Sequence, residues 1–211
     1  MKQAGGWHLP DADRYFGPLL EKDPRGFQID LLEAALKHVR EWRTAVDGGA
    51  HVGTWSALLG RRFNEVLAFE PALDTFHCLA RNVRNLAGVT PLHAALGVSK
   101  VLAAMRDDDA RPGNTGARYI GAGGDVCVYC LDDFGIAHLD FLKLDLEGYE
   151  YFALLGAAAT VRRCRPVMVI EDKDFGGRFG LERGGAGKLV ESWGAKLAQR
   201  IGNDCIYTFE E

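Results

Sequence analysis

A glycine-containing loop that follows a predicted buried strand is the first feature of this chain with a chemical meaning. The strand ends at residues 44–46, and the loop reads Asp47-Gly48-Gly49-Ala50-His51-Val52-Gly53. Glycines at such a bend let backbone N–H groups approach a bound ligand closely. Roughly twenty residues further on, Glu70 ends a second apolar strand, where a carboxylate can accept hydrogen bonds from both hydroxyls of a ribose. The two features together predict a cofactor that contains a nucleoside.

The loop fits two classes of cofactor. Read from Gly48, it is G-x-A-x-x-G, a near match to the dinucleotide fingerprint, whose glycines bring a helix N-terminus against a pyrophosphate. Read from Asp47, it is D-x-G-x-x-x-G, which is typical of enzymes that use S-adenosylmethionine. An acid at the strand end suits a ligand with an ammonium group and suits a pyrophosphate poorly. The loop therefore favours S-adenosylmethionine over a nicotinamide dinucleotide, and a tight turn without a ligand is the third alternative.

A second chemical cluster lies in the run Phe141-Leu142-Lys143-Leu144-Asp145-Leu146-Glu147. Polar residues alternate with leucines, which on a strand places Lys143, Asp145 and Glu147 on one face. A lysine in a central strand needs a partner, because a buried unpaired ammonium is costly. Asp47 or Glu171, each at the end of another predicted strand, could be that partner.

Candidate catalytic residues follow from this placement. Asp145 and Glu147 are expected at the mouth of the strand, beside a methyl donor, and either could act as a general base for a hydroxyl group. Glu171 is the third candidate, and His51 and His138 are weaker ones, because a lone histidine is more often a surface or packing residue. The alternative is an ion-pair network that only stabilises the sheet.

These residues need a scaffold, and the chain alternates between strands and helices. Predicted helices cover residues 27–43, 55–63, 73–86, 149–162 and 186–193. Predicted strands cover residues 44–46, 66–69, 91–96, 101–105, 126–129, 141–146, 167–171, 196–200 and 205–209. The alternation predicts an α/β fold with a mostly parallel sheet, helices on both faces, and ligands outside the carboxyl ends of the strands.

Two parts of the chain depart from simple alternation. Val101 to Met105 is expected to form a hairpin with the strand that ends at Leu96. The last two strands flank Ile201-Gly202-Asn203-Asp204, which predicts an antiparallel C-terminal hairpin. Such an antiparallel end is usual in S-adenosylmethionine methyltransferases and unusual in nicotinamide-binding sheets.

The N-terminal segment allows two interpretations. Residues 1–43 are expected to form an arm and a helix packed on a methyltransferase domain of residues 44–211, with a single domain overall. The aromatic residues Trp7, Tyr15, Phe16 and Phe27 could cover the donor as a lid, with a polar contact from Gln28. Simple packing of the arm against the domain is the favoured interpretation.

Composition excludes several classes of protein. A formal net charge of −4 gives no general basic field, which disfavours a nucleic-acid partner. Five cysteines are an odd number without a disulfide-framework spacing. Cys127 and Cys130 lie three apart on a predicted strand and point to opposite faces, so no metal site is expected. No membrane span and no signal-peptide core are evident, and the chain is expected to be soluble and cytoplasmic.

The chain resembles the FkbM family of S-adenosylmethionine-dependent methyltransferases. The resemblance spans roughly residues 45–209 and rests on several short motifs. The most specific of them is the ten-residue block Phe141 to Glu150. The motifs are the loop 47–53 with Phe69-Glu70-Pro71, the shorter motifs Ala95-Leu96-Gly97, Asn114-Thr115-Gly116 and Leu131-Asp132-Asp133-Phe134, the block Phe141 to Glu150, and Asn203-Asp204 before the last strand.

The resemblance implies a Rossmann-like methyltransferase fold and O-methylation of a hydroxyl on a small molecule or sugar, with S-adenosylhomocysteine as product. The implied donor site places Gly49 and Gly53 under the methionine part, Asp47 and Asp145 near its amino group, and Glu70 on the ribose. The expected cofactor-binding residues also include Gly48, Ala50, Thr54 and Pro71, and the expected catalytic residues are Glu147, Asp145, Lys143 and Glu171. The alternatives are a nucleic-acid 2′-O-methyltransferase, a non-catalytic adenosyl-binding module and a nicotinamide-linked oxidoreductase.

Overall fold

The alternation of strands and helices is present along the chain. The structure is a computed structural model, and it describes residues 1–210. In chain order the elements are β1 Lys2–Ala4, β2 Trp7–Leu9, α1 Phe16–Lys22, α2 Ile29–Leu36, β3 Thr44–Gly48, α3 Thr54–Leu59, β4 Glu65–Phe69, α4 Leu73–Val83, β5 Val89–Leu92, β6 Ala95–Leu96, β7 Val101–Arg106, β8 Tyr119–Ala122, β9 Val126–Tyr129, β10 Phe141–Leu144, α5 Glu150–Leu155, α6 Ala158–Cys164, β11 Val167–Glu171, α7 Gly185–Ser192, β12 Ala195–Ile201 and β13 Asp204–Phe209.

Seven strands form the large sheet in the order β12-β13-β11-β10-β3-β4-β5. The five strands from β11 to β5 are parallel, and β13 pairs antiparallel with both β11 and β12. The predicted antiparallel C-terminal hairpin is therefore confirmed. Because β3, β4, β10 and β11 are parallel, their carboxyl ends lie at one edge of the sheet, which is where open α/β sheets bind ligands.

Helices cover both faces of this sheet, as predicted. On one face α2, α3 and α4 bury side chains such as Leu32, Trp55 and Leu79 against the sheet. On the other face α5, α6 and α7 do the same with residues such as Leu154 and Val190. Successive strand residues point to opposite faces, so neighbouring apolar residues in β3, β10 and β11 supply both cores.

A second, four-stranded sheet in the order β6-β9-β7-β8 was not predicted as a separate unit. The expected strand 91–96 is divided: β5 lies in the large sheet, whereas the two-residue β6 pairs with β9 in the small one. The expected hairpin at Gly97 is wrong, since β7 pairs with β8 and β9. Gly97 N donates instead to the carbonyl of Tyr129 at 2.9 Å, which carries the chain away from a tight turn.

Two predicted helices are shorter or divided. The predicted helix 149–162 is interrupted between α5 and α6, where a Cβ at Gly156 would lie 1.9 Å from the carbonyl oxygen of Gly97. Only a glycine allows the two backbones to approach so closely. The predicted helix 27–43 ends at Leu36, and Arg43 then pairs with Asp140 at the amino end of the sheet.

The N-terminal segment has more structure than the expected arm. The antiparallel hairpin of β1 and β2, followed by α1, packs on α4, and Leu9, Phe16 and Leu20 share an apolar cluster with Val52 and Cys78. The amide of His8 donates to Asn82 Oδ1 at 2.9 Å, which fixes the hairpin to α4. Within residues 1–210, no helix combines the length and the apolar character that crossing a bilayer requires.

Candidate active site at the carboxyl edge of the large sheet

The loop after β3 is held against the loop after β10. The amides of Gly49 and Ala50 donate to the carbonyl of Phe69 at 3.0 and 2.9 Å. Gly49 has a φ of 74°, and a Cβ there would lie 2.0 Å from the carbonyl oxygen of Asp145. A side chain at position 49 is therefore excluded by both its conformation and the neighbouring backbone. The two loops form one joined floor for a cavity.

Asp47 and Lys143 form a buried ion pair beneath this floor. Lys143 Nζ lies 3.0 Å from Asp47 Oδ1, and Ser56 Oγ donates to Asp47 Oδ2 at 2.6 Å. Lys143 Nζ also donates to the carbonyl of Gly49 at 2.9 Å. Burial opposes the charge of Lys143, but the carboxylates of Asp47, Asp145 and Glu171 together outweigh it and raise the pKa of the ammonium. Asp47 rather than Glu171 is thus the partner that the lysine needed.

Asp47 itself does not reach the cavity. Its carboxylate is completely buried (0% exposed) between Lys143 and Ser56, whereas the sequence predicted that it would lie near the amino group of a donor. The reason is the register of the parallel pair β3 and β10. Asp47 is the neighbour of Lys143 across this pair, so the two side chains lie on the same face of the sheet. The structure gives Asp47 a supporting position under the loop.

Glu70 keeps one acceptor position for a ligand. Its Oε2 accepts from the amide of His51 at 2.7 Å, and its Oε1 accepts from the amide of Ala72 and from Thr75 Oγ1 at 2.9 and 2.8 Å. A carboxylate offers about four lone-pair sites, so Oε2 retains one. Burial raises the pKa of Glu70, against the opposing effect of these hydrogen bonds.

The cavity above the floor contains most of the predicted donor-binding and catalytic residues. The donor-binding residues that line it are Gly49, Ala50, Thr54, Glu70, Pro71 and Asp145, and the catalytic candidates are Lys143, Asp145 and Glu147. Asp47, Gly48 and Gly53 are not among the lining residues. Ala94, Ala95 and Leu96, which follow β5, line another part of the cavity.

The side of the cavity opposite the floor, the roof, comes from parts of the chain whose sequence gives little indication of a functional role. Phe16, Phe27 and Gln28 of the N-terminal segment line it, as do residues of the small sheet such as Met105 and Ile120. The ring of Phe16 lies 5.1 Å from that of Phe27 and 4.3 Å from that of His51, between ring centroids. Of the aromatic residues expected to form a lid, Phe16 and Phe27 line the cavity, whereas Trp7 and Tyr15 do not.

A buried chain of hydrogen bonds ties this roof to the floor. Thr115 Oγ1 donates to Asp13 Oδ2 at 2.9 Å, and His51 Nε2 lies 2.8 Å from Thr115 Oγ1. Since the threonine proton is donated to Asp13, His51 Nε2 must donate to the threonine oxygen. Burial lowers the pKa of His51 to about 4, so the ring is neutral at pH 7. His51 therefore has a positioning role.

The turn after β10 differs from the sequence prediction. The strand ends at Leu144, so Asp145 and Glu147 lie in a turn and not on one strand face with Lys143. Glu147 has a φ of 54°, a strained value for a residue with a side chain. The turn is held by Glu150, whose Oε1 accepts from the amides of Leu146 and Gly148 at 2.7 and 3.2 Å. Burial raises the pKa of Glu150 to about 7.

Glu147 and Asp145 have opposite electrostatic surroundings. Glu147 is buried and pairs with Arg111 at 2.7 Å and with Lys173 at 3.4 Å. Asp145 is half-buried, and its carboxylate has no hydrogen-bond or ion-pair partner within residues 1–210. Glu147 is therefore already neutralised by protein groups, whereas the charge of Asp145 is open to a ligand.

Two further acids complete the group. Glu171, at the end of β11, is 4% exposed and contacts Lys173 through Oε1. Burial and the nearby charge of Asp145 raise the pKa of Glu171 well above its usual range. Asp204 accepts from Gln28 Nε2 at 3.0 Å, and burial, with Asp145, raises its pKa to about 6.

An open cleft adjoins the cavity at this group of acids. Asp145, Glu147, Phe16 and Gln28 line both spaces. The cleft has a volume of about 1310 Å³, which exceeds the roughly 300–1,000 Å³ typical of small-molecule pockets. The cavity, with a volume of about 90 Å³, shares one acidic wall with this cleft.

Comparison with known proteins supports one family. A family model described as the methyltransferase FkbM domain matches residues 47–194. No curated protein matches the chain by sequence.

Solved structures agree on the fold. A methyltransferase FkbM from Methylobacillus flagellatus has 16% identity and a TM-score of 0.57, over 81% of this chain and 45% of that one. The chain thus spans less than half the length of that relative. A precorrin 8W decarboxylase from Methanobacterium thermoautotrophicum has 12% identity and a TM-score of 0.52, over 96% and 100% of the two chains. A candidate methyltransferase from Streptococcus mutans, in complex with S-adenosylhomocysteine, has 10% identity and a TM-score of 0.50, over 85% and 94%.

Proposed function

The chain belongs to the FkbM methyltransferase family, and from this membership we propose that it transfers a methyl group from S-adenosylmethionine to a hydroxyl group of a small molecule or sugar. One observation carries the proposal: Asp145, the acid without a partner among the described residues, lies in the wall shared by the closed cavity and the open cleft. Both reactants of a methyl transfer need to meet at such a wall.

The cavity has the polarity that the methyl donor requires. Its apolar side, with Phe16, Leu96 and Ile120, suits an adenine ring. Glu70 Oε2 has a free acceptor position for a ribose hydroxyl. When bound, S-adenosylmethionine supplies a methyl group on a positively charged sulfur.

The cleft side supports a hydroxyl acceptor. Transfer from a sulfonium depends mainly on aligning the acceptor oxygen and excluding water, and the rings of Phe16 and Phe27 lie between the cavity and the cleft. The hydroxyl proton needs a carboxylate, and Asp145, Glu147 and Glu171 all lie at the cleft. Asp145 is the one of the three with neither oxygen bonded to another side chain, so we assign the direct contact with the reactants to it.

Thermal unfolding with S-adenosylmethionine, S-adenosylhomocysteine and NAD in parallel tests the donor. A ligand that binds only the folded state raises the midpoint by mass action. We expect stabilisation by the two sulfur nucleosides and none by NAD. Stabilisation by NAD alone would overturn the proposal in favour of an oxidoreductase.

Calorimetry with S-adenosylhomocysteine locates the donor site. Glu70→Gln removes one charge-assisted hydrogen bond, worth about 1.5 kcal/mol, which weakens binding about tenfold. Glu182→Gln makes the same chemical change at an exposed surface position and should leave binding unchanged. Equal affinities for the two variants would contradict the placement of the ribose on Glu70.

A screen of sugars and small hydroxyl compounds with isotope-labelled S-adenosylmethionine tests the acceptor. The expected product is a methyl ether, and Asp145→Asn should reduce its rate of formation by about a hundredfold or more if this carboxylate accepts the proton. Labelling of an amine or of RNA, with no methyl ether formed, would contradict the hydroxyl assignment.

A further inference from the structure

The geometry points to a divalent-cation site that adjoins the donor cavity: we propose that Asp145, Glu147 and Glu171 bind a hard cation such as Mg²⁺ or Mn²⁺. One carboxylate oxygen from each residue lies within 4.8 Å of the others. All three line the open cleft. The site is separate from the donor-binding contacts of Glu70 and from the ion pair beneath the loop.

The spacing matches what one cation can bridge. Neighbouring oxygens on one Mg²⁺ or Ca²⁺ ion are about 3.0 to 3.4 Å apart, from metal–oxygen distances of roughly 2.1 and 2.4 Å. Side-chain movements of up to about 1 Å would bring the three carboxylates from their present spacing into coordination. Three hard oxygen ligands favour Mg²⁺, Mn²⁺ or Ca²⁺ over softer metals.

An orphaned buried oxygen is a second observation in favour of a ligand. Glu171 is 4% exposed, and its Oε2 has no hydrogen-bond partner in the part of the chain that the structure describes. Buried polar atoms nearly always have partners, and an unpaired one calls for a missing ion or water. A cation coordinated by the Glu171 carboxylate would provide it.

A protein cation already lies between two of the three acids. Lys173 Nζ contacts Glu171 Oε1 and lies 3.4 Å from Glu147 Oε1. The lysine side chain is 30% exposed, so it can turn into the cleft, whereas the carboxylates are fixed by a strand end and a strained turn. Lys173 pairs with Glu171 and Glu147 but not with Asp145, which has no ion-pair partner among the described residues. Lys173 thus marks a position that attracts cations and would compete with a metal for it.

The cation would leave coordination positions open toward the cleft, because only three ligands come from the protein. If the proposed methyl transfer is correct, the oxygen of the acceptor would fill one of them, next to the donor cavity. The site would then orient the acceptor and favour loss of its hydroxyl proton. The substrate class implied is a compound with a hydroxyl and a neighbouring oxygen that can bind the same ion.

Titration with Mn²⁺, followed by the loss of the free-ion electron paramagnetic resonance signal, tests the site without any methyl-transfer assay. We expect one Mn²⁺ per chain in the native protein. Glu171→Gln and Asp145→Asn should each weaken binding by about tenfold or more. Lys173→Met should strengthen it, because it removes the competing charge, and Glu182→Gln should leave it unchanged. Thermal melts of every variant show that each is folded.

Three results would overturn the proposal. These are absence of Mn²⁺ binding in the native protein up to millimolar concentration, binding that survives both Glu171→Gln and Asp145→Asn, and binding in Lys173→Met alone. The last result would show that Lys173 is the permanent cation of the site. Donor binding without Mn²⁺ binding would leave the proposed function intact, so the two proposals fail separately.

Discussion

Two lysines pair with acids at the same edge of the sheet, and their surroundings are opposite. Lys143 is 7% exposed and faces the completely buried Asp47 under the donor loop. Lys173 is 30% exposed and faces Glu171 and Glu147 in the open cleft. In the first pair the acid is shielded from the cavity and the lysine also holds the backbone of Gly49, whereas the second pair faces the open cleft. Both pairs join a lysine to an acid, so residue type alone does not distinguish a structural ion pair from a functional one. The exposure of the pair to solvent does.

The largest effect should come from breaking the buried pair. Lys143→Met leaves the charge of Asp47 without its counter-ion, which typically costs about 3–5 kcal/mol. Urea unfolding measures the loss, and the double variant Lys143→Met with Asp47→Asn should recover part of it. A loss below about 1 kcal/mol would mean that the pair contributes no more than a surface ion pair.

A smaller effect should appear in the pH dependence of the cleft group. The folded-state pKa of Asp204 is raised from 3.8 to about 6, so its ionisation destabilises the fold. This penalty is absent below about pH 4, grows between pH 4 and 6, and is complete above pH 6. Asp204→Asn should therefore be more stable than the native protein at pH 7, by about 3 kcal/mol, and about equally stable at pH 4.

Urea unfolding at several pH values measures the difference. The exposed Asp109→Asn serves as the control. A constant difference between the Asp204→Asn variant and the native protein from pH 4 to 7 would show that Asp204 does not titrate in this range.

The smallest stability effect should come from Lys173→Met. The lysine is partly exposed, and exposed ion pairs contribute roughly 0–1 kcal/mol. We expect a loss of about 1 kcal/mol in urea unfolding, well below that of Lys143→Met. Equal losses of unfolding free energy in Lys143→Met and Lys173→Met would show that the buried and the exposed pair contribute equally to stability.

The sequence predicted the parts of the site that depend on local pattern. The glycine loop, Glu70 after β4 and Lys143 within β10 are where periodicity and strand order place them. It did not predict the small sheet, because β6 has only two residues and its partner β9 is distant in the chain. Nor did it predict the burial of Asp47, since that depends on register between neighbouring strands. The exposure of the Asp145 side chain to the cavity follows from the turn after Leu144. The alternation of polar and apolar residues predicts a strand there and does not predict a turn.

The roof of the donor cavity has a consequence for the order of assembly. The N-terminal segment is synthesised before its fixing partners, Asn82 for His8 and Thr115 for Asp13, which lie 74 and 102 residues later. Contacts of such long sequence separation form slowly, because the entropy cost of closing a long loop must be offset before the contacts stabilise the chain. In a growing chain the aromatic residues Phe16 and Phe27 therefore remain exposed to solvent until the small sheet has been made.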